Sequence, residues 1–374
     1  MKKVMLTAAA LAVLTGGYLS YTTVDETTTA AVAAKPTYNA TMYVAGMGGH
    51  FAVADVTIDP NDSKAPLKVN GMPGMLSIGN KKTHPTHDPR IDVNDRSVMY
   101  WSTYKLDPEG NLHVGKSDLK SGKKLVDLAL PPDPRTTWNG ANYCGSGQTE
   151  KYYMPVQMGN EGSIDIFSKE DMSLKHRVFF DDLGYKSGEY TFAHGTNSNN
   201  MKYFLLSLNL TPDGHTKFTG KTQMIMLDMK ALEQGKIKKI AETTLPGKPK
   251  DSSGGSITFR QYFSQDDSLI FQSGADRAYV IDAKTLELLD VVTPLPGAAH
   301  DFIPTPDAKY AVLTLRERVF SPKDEGDVTD GVLALYDVKA KKLIGDTVST
   351  CLTCHHQMGM GGSAILCGID ANWK

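Results

Sequence analysis

Cysteine is nearly missing from this chain: four in 374 residues, too few for the dense disulfide framework that holds small secreted domains together. A chain of this length buries enough surface to fold around its own core. A charge of one sign is missing too, because 40 Lys and Arg against 42 Asp and Glu leave a net charge of −2 and no basic field for nucleic acid or anionic lipid. Nucleic acid is therefore not an expected partner. Apolar runs of membrane-spanning length are absent, and with 40% hydrophobic and 22% charged residues the bulk folds in water. Helical stretches rich in Ala, Leu and Glu are scarce as well. What is plentiful is Gly (34), Pro (19) and Tyr (16), the composition of many short strands joined by turns.

Lys2 and Lys3 precede an apolar run from Val4 to Leu14, with Gly16 and Gly17 after it, the basic-then-apolar pattern of an export signal. The run is too short to span a bilayer comfortably, and the Thr/Ala-rich stretch after it has no core-forming pattern, which favours a leader over a buried helix. Residues 1–20 read as the signal and 21–40 as a linker, giving a periplasmic or otherwise exported protein with no transmembrane domain beyond that signal or anchor.

Two of the four cysteines fall in Cys351-Leu-Thr-Cys354-His355, the C-x-x-C-H form of covalent haem attachment. Two thiols at that spacing add to the two vinyl groups of one porphyrin, and the adjacent His becomes the proximal iron ligand. With four Cys and ten His in the chain, chance yields this motif roughly 0.001 times. A zinc site would need a second ligand pair, and a thiol redox motif would need a strand-to-helix setting that the pattern lacks. On these residues the sequence resembles the c-type cytochromes. The resemblance implies one covalent haem c, held by Cys351, Cys354 and His355, and electron exchange with a redox protein.

The body, residues 41–350, shows a repeat of four short strands. Its clearest unit runs Ser256–Arg260, a Ser264–Asp267 turn, Ser268–Gln272, a Gly274–Asp276 turn, Arg277–Asp282 and Leu286–Val291. The next unit opens at His300, continues at Tyr310, carries an insertion over Arg316–Asp330 and closes with Gly331–Asp337 and Leu343–Asp346. Earlier units open at Phe192-Ala-His194, at Tyr143-Cys144 and at Thr86-His87-Asp88. The first, with Met42–Ala45 and His50–Asp55, lacks an opening strand. The fold expected is all-β, a β-propeller of six blades with seven as the alternative, and a two-sheet sandwich is disfavoured because sandwiches rarely repeat one signature in series. Residues 351–374 would hold the haem segment and a spare strand, Ala364–Cys367, that completes the first blade and closes the ring. In repeat style this body looks like the YVTN-type propellers and, more distantly, the propeller domain of periplasmic cytochrome nitrite reductase.

Aligning the innermost strands places His87, Cys144, His194, Arg260, His300 and Cys367 at matching positions on the channel face. His50 joins them from a turn between second and third strands, and His84 lies close to His87. A single such His is more often structural, but three at matching positions share no packing reason for imidazole. The mouth could hold a second metal, copper or iron, or a second haem, or bind and protonate a small inorganic anion, with Arg260 supplying paired hydrogen bonds unless blade carbonyls satisfy it. As catalytic candidates these are His87, His194, His300 and Arg260. For the sixth haem ligand the candidates are His50, His87, His194, His300, Met358 and Met360, while His356 sits too close to the proximal His to reach the opposite face. A Cys144–Cys367 disulfide is conceivable only if non-neighbouring blades bring the two within reach. The Gly-rich stretches at Gly145–Gly147 and 358–363 read as turns, and the aromatic run Met99–Trp101 as packing between blades.

Three functions follow from these features: an exported monohaem cytochrome on a propeller scaffold, an oxidoreductase using the histidine mouth with haem c as relay, or a propeller that binds a partner without catalysis.

Overall fold

A computed structural model describes residues 34–136, 142–159, 161–212, 218–251, 255–357, 359–362 and 366–374. The leader, most of the linker, Met358 and residues 363–365 lie outside the described residues.

Six antiparallel sheets follow one another along the chain, the arrangement of a six-bladed β-propeller. The first contains β1 (Tyr38–Ala45), β2 (His50–Ile58), β3 (Leu67–Val69) and β4 (Gly74–Ser77). The second contains β5 (Arg90–Ile91), β6 (Val98–Ser102), β7 (Leu112–Asp118) and β8 (Lys124–Leu130). The third has β9 (Tyr143–Gln148), β10 (Tyr152–Gln157), β11 (Ser163–Ser168) and β12 (Leu174–Phe179). Next come β13 (Tyr190–Asn197), β14 (Tyr203–Leu210), β15 (Thr222–Asp228) and β16 (Lys239–Leu245), with a helical turn α1 (Met229–Leu232) before the last. The fifth blade is β17 (Thr258–Phe263), β18 (Leu269–Gly274), β19 (Ala278–Asp282) and β20 (Leu288–Val292). The sixth is β21 (Ala298–Pro304), β22 (Tyr310–Ser321), β23 (Gly326–Asp337) and β24 (Lys342–Ser349). Helix α2 (Cys351–Gln357) and strand β25 (Gly368–Trp373) complete the chain.

The strands follow from local composition. Central strands such as β14, Tyr-Phe-Leu-Leu-Ser-Leu-Asn-Leu, are buried on both faces between neighbouring blades and read as nearly continuous apolar runs. Outer strands such as β8 alternate exposed and half-buried residues, because one face meets water. The turns recur for a chemical reason. In blades four to six, Ser198, Ser264 and Thr305 donate hydroxyl hydrogen bonds to Asn200, Asp266 and Asp307, at 2.9, 2.6 and 3.1 Å. The next residue in each, Met201, Asp267 and Ala308, takes positive φ, so the turn closes the same way each time. The Asp that ends the third strand accepts backbone N–H bonds in the following turn, as Asp118 does from Ser121, Asp282 from Thr285 and Asp337 from Ala340.

The ring closes with a C-terminal strand, but not the one expected. β25 begins at Gly368, directly after 364–367, and pairs with β1 from Ala45↔Gly368 to Ala40↔Trp373, supplying the innermost strand that the first blade lacks. Its sequence, Gly-Ile-Asp-Ala-Asn-Trp, has no apolar run, because on the channel side it meets polar groups: Asp370 accepts from the Ile91 N–H at 2.7 Å and the Ile369 carbonyl accepts from the Tyr262 hydroxyl at 2.6 Å. The insertion expected over Arg316–Asp330 takes the form of paired strand. β22 and β23 remain paired throughout, from Tyr310↔Asp337 to Ser321↔Gly326, forming a ribbon that extends past the blade.

Candidate functional site

The starts of the innermost strands and the turns between second and third strands meet on one face and enclose a cavity of about 240 Å³. Five of the six register positions line it: His87, Cys144, His194, His300 and Cys367. The turns add Met47, Tyr104 and Met158, and β22 adds Arg316. The pattern of the repeats thus brought together residues up to 280 positions apart in the chain (367 minus 87).

Arg260, the sixth position, does not line the cavity. It is buried one layer behind, with Nη2 2.5 Å from Asp88 and Nε 3.6 Å from Asp301. Two carboxylates pair with it, so the role of its guanidinium here is charge pairing behind the cavity wall, while Nη1 keeps no hydrogen-bond partner among the described residues. The signal for this was the His-Asp dipeptide, present at both 87–88 and 300–301: each blade turns its His toward the axis and its Asp toward Arg260.

Each imidazole has one side anchored. His194 Nδ1 donates to the Phe192 carbonyl at 3.0 Å, and since a carbonyl only accepts, this fixes Nε2 as the unprotonated nitrogen. His300 Nδ1 lies 3.2 Å from Asp301, whose carboxylate also accepts from Tyr262 and Thr314 at 2.9 Å each. The His300 ring stacks on Phe259 with centroids 4.7 Å apart, and the His87 ring stacks on Tyr104 at the same separation. His87 Nε2 lies 3.6 Å from Cys144 Sγ. His87 Nδ1 and His194 Nε2 are buried with no hydrogen-bond partner. Burial pushes His87 and His194 well below the usual imidazole range, with the other cavity histidines and Arg260 adding to it, and burial lowers His300 against the opposing pull of Asp301. Neutral rings of this kind serve as acceptors and ligands. Burial also pushes the Cys144 thiol up. No disulfide joins Cys144 to Cys367.

Helix α2 carries the C-x-x-C-H motif beside this cavity. Its start is tied to β23, where the Leu352 N–H donates to Asp330 at 2.9 Å and the Thr350 hydroxyl to the Gly331 carbonyl at 2.7 Å. Cys351, Cys354 and His355 are all buried. A side chain at Gly331 would meet Cys351 Sγ at 2.7 Å, so glycine there permits the close approach of helix to strand. His355 Nδ1 donates to the Gly361 carbonyl at 2.9 Å, leaving Nε2 unprotonated. His50, at the start of β2, faces it with ring centroids 5.7 Å apart, and Met47, three residues earlier, lines the cavity. His356 is drawn away by Asp324 at 2.7 Å, at the tip of the β22–β23 ribbon. The Met360 N–H donates to the His355 carbonyl at 2.9 Å, which ties the Met360 backbone to the end of α2.

His84 belongs to a different group. Its Nε2 and His113 Nδ1 bond the two oxygens of Asp127 at 2.9 and 2.8 Å, and His113 Nε2 bonds Asp107 at 2.9 Å. These donors are close enough for a metal, but Lys124 Nζ already sits 2.6 Å from Asp127, so the group is a charged hydrogen-bond network. Phe192, Phe259, Tyr104, Met47, Met158 and Arg316 are the cavity residues that sequence reasoning missed.

No protein-family model matches the chain, and no curated protein matches it. Its fold is similar to solved propellers. A chain of the nidogen/laminin complex aligns with a TM-score of 0.52 and 12% identity over 90% of this chain and 98% of that one. TolB from Acinetobacter baumannii aligns with a TM-score of 0.51 and 12% identity over 89% of this chain and 66% of that one. At such identity the likeness is one of fold alone. No helix among the described residues is long and apolar enough to cross a membrane.

Proposed function

We propose that this chain is an exported monohaem c-type cytochrome, in which a six-bladed propeller holds haem c beside its axial cavity and exchanges electrons with a redox protein. The observation that carries this reading is the state of His355: its Nδ1 is committed to the Gly361 carbonyl, so Nε2 is the lone-pair nitrogen that an iron ligand needs. Carbonyl anchoring of this kind fixes ring orientation and raises ligand basicity. Cys351 and Cys354 supply the thioether anchors, three residues apart on one short helix whose start β23 fixes. Haem, when bound, supplies one-electron chemistry. His50 is the neighbouring imidazole and the best candidate for the sixth ligand, since His356 is held by Asp324. Export follows from the same reading, because haem c is attached outside the cytoplasm.

The axial cavity favours a small occupant. At about 240 Å³ it falls below the range of pockets that take drug-sized molecules, which disfavours a second haem there.

The test is production in a host able to attach haem c, followed by intact mass and the reduced absorption spectrum. The wild-type chain should carry one covalent haem, and Cys351→Ser with Cys354→Ser should carry none. His355→Ala should retain the thioether bonds in part but lose the native ligand field. A wild-type chain that folds without covalent haem would overturn the reading.

A further inference from the structure

The axial cavity gathers donor atoms that neither the haem helix nor the packing of the blades uses. One nitrogen each of His87 and His300 and the Sγ of Cys144 lie within 4.8 Å of one another, all buried. We propose that this cavity is a copper(I) site, with His87, Cys144 and His300 as ligands and His194 as the imidazole beside them. The site stands apart from the haem reading and does not depend on it.

Unsatisfied atoms point first to a missing ligand. His87 Nδ1 and His194 Nε2 are buried without a hydrogen-bond partner, and a group left so usually costs about 1–3 kcal/mol. Orientation points the same way at His300, where Asp301 lies against Nδ1 as the second-shell partner that metal-bound histidines usually have, and the Phe192 carbonyl fixes the neighbouring His194 by its Nδ1.

The choice of metal follows from softness and charge. A thiolate and neutral imidazoles, walled by Met47, Met158, Phe192 and Phe259, suit a soft ion. Arg316 lines the cavity and Arg260 lies close behind. One thiolate neutralises Cu(I), whereas Zn(II) would leave a net positive charge beside the Arg316 guanidinium in a poorly solvated space, Arg260 being already paired with Asp88 and Asp301. Binding replaces the Cys144 S–H bond with an S–Cu bond and releases one proton to solvent; no electron is transferred. Cys367 is left out of the set because its sulfur is engaged by Arg316 Nη2 at 3.9 Å.

The test is anaerobic titration of the haem-loaded chain with the Cu(I) bicinchoninate complex, following loss of its colour and release of protons. Uptake of one Cu(I) per chain is expected, with one proton released. Cys144→Ser, nearly isosteric, and His300→Gln should each weaken uptake at least about tenfold while the far-ultraviolet circular dichroism is unchanged. Because unmodified Cys351 and Cys354 would themselves take copper, the same titration is run on the Cys351→Ser/Cys354→Ser chain. One Cu(I) bound there supports the cavity site whether or not haem is ever attached. No uptake by that folded variant, uptake indifferent to Cys144→Ser, or Zn(II) bound at least as tightly as Cu(I) would each overturn the proposal.

Discussion

Arg260 shows what a single residue owes to its neighbours. It is 1% exposed, and its charge is tolerated because Asp88 and Asp301 from two other blades meet it. Removing one partner of such a pair leaves a charge stranded where water cannot reach it, which typically costs 3–5 kcal/mol, roughly. Asp88→Ala should therefore lower unfolding free energy by about that amount in urea titration, and adding Arg260→Leu should restore part of the loss. His113 makes a second residue-scale case. The hydrogen bond to Asp127, opposed by burial and helped by Asp107, raises its pKa above the usual imidazole value, with His84 and Lys124 facing the same carboxylate. A group whose folded pKa is raised contributes stability that is fully present below its unfolded pKa and is lost as pH rises through the folded one. The stability gap between wild type and His113→Gln should accordingly be wide near pH 6 and narrow as pH rises above the folded-state value; a gap that widens toward alkaline pH would contradict this linkage.

At the scale of elements, the closing strand is the decisive piece. β25 joins the last residues of the chain to β1 near the start of the body, and Ile369 is fully buried among residues of β1, β23 and the fifth and sixth blades. Ile369→Ala should cost about 2–5 kcal/mol, the range for emptying a well-packed core site, read as a lower urea midpoint at unchanged slope. Much of the repeat was legible because its turns are local: Ser264 and Asp266 bond within the same short turn, so the spacing itself records the structure. β25 was harder because its polar residues are satisfied by Ile91 and Tyr262, distant in the chain, and nothing in its own six residues announces that. The Arg316–Asp330 insertion was legible in extent, but its pairing into a ribbon was not, for a related reason. Its outer half runs Arg-Glu-Arg-Val-Phe-Ser and Gly-Asp-Val-Thr-Asp around Pro322 and Gly326 at the tip, with no strand period of its own until the two strands are paired. Of the site, the register located five cavity residues; only the His-Asp pairs at 87–88 and 300–301 mark Arg260 as turned away, and nothing in the register marks Arg316 as turned in. That difference depends on which blade places a carboxylate behind the strand.

For the whole molecule, closure makes stability collective. Each blade packs its face on the next, and the first blade is assembled from both ends of the body, so no blade can open at that seam without breaking β1–β25 pairing. The cavity at the axis and the helix bearing the C-x-x-C-H motif both depend on that seam, since Cys367 lines the one and Leu366 packs near Cys351 of the other. Trp373 lies on the closing strand and Trp101 is buried in the second blade, so their fluorescence reports on seam and body together. If the ring unfolds as one unit, urea curves for the wild type and for Trp373→Phe, measured by fluorescence and by circular dichroism, should share a single midpoint for each protein. A fluorescence transition that precedes the loss of strand signal in the wild type, and disappears in Trp373→Phe, would mean that β25 peels away first. Opening of the cavity would then be a local event at the seam, with a free energy well below that of global unfolding.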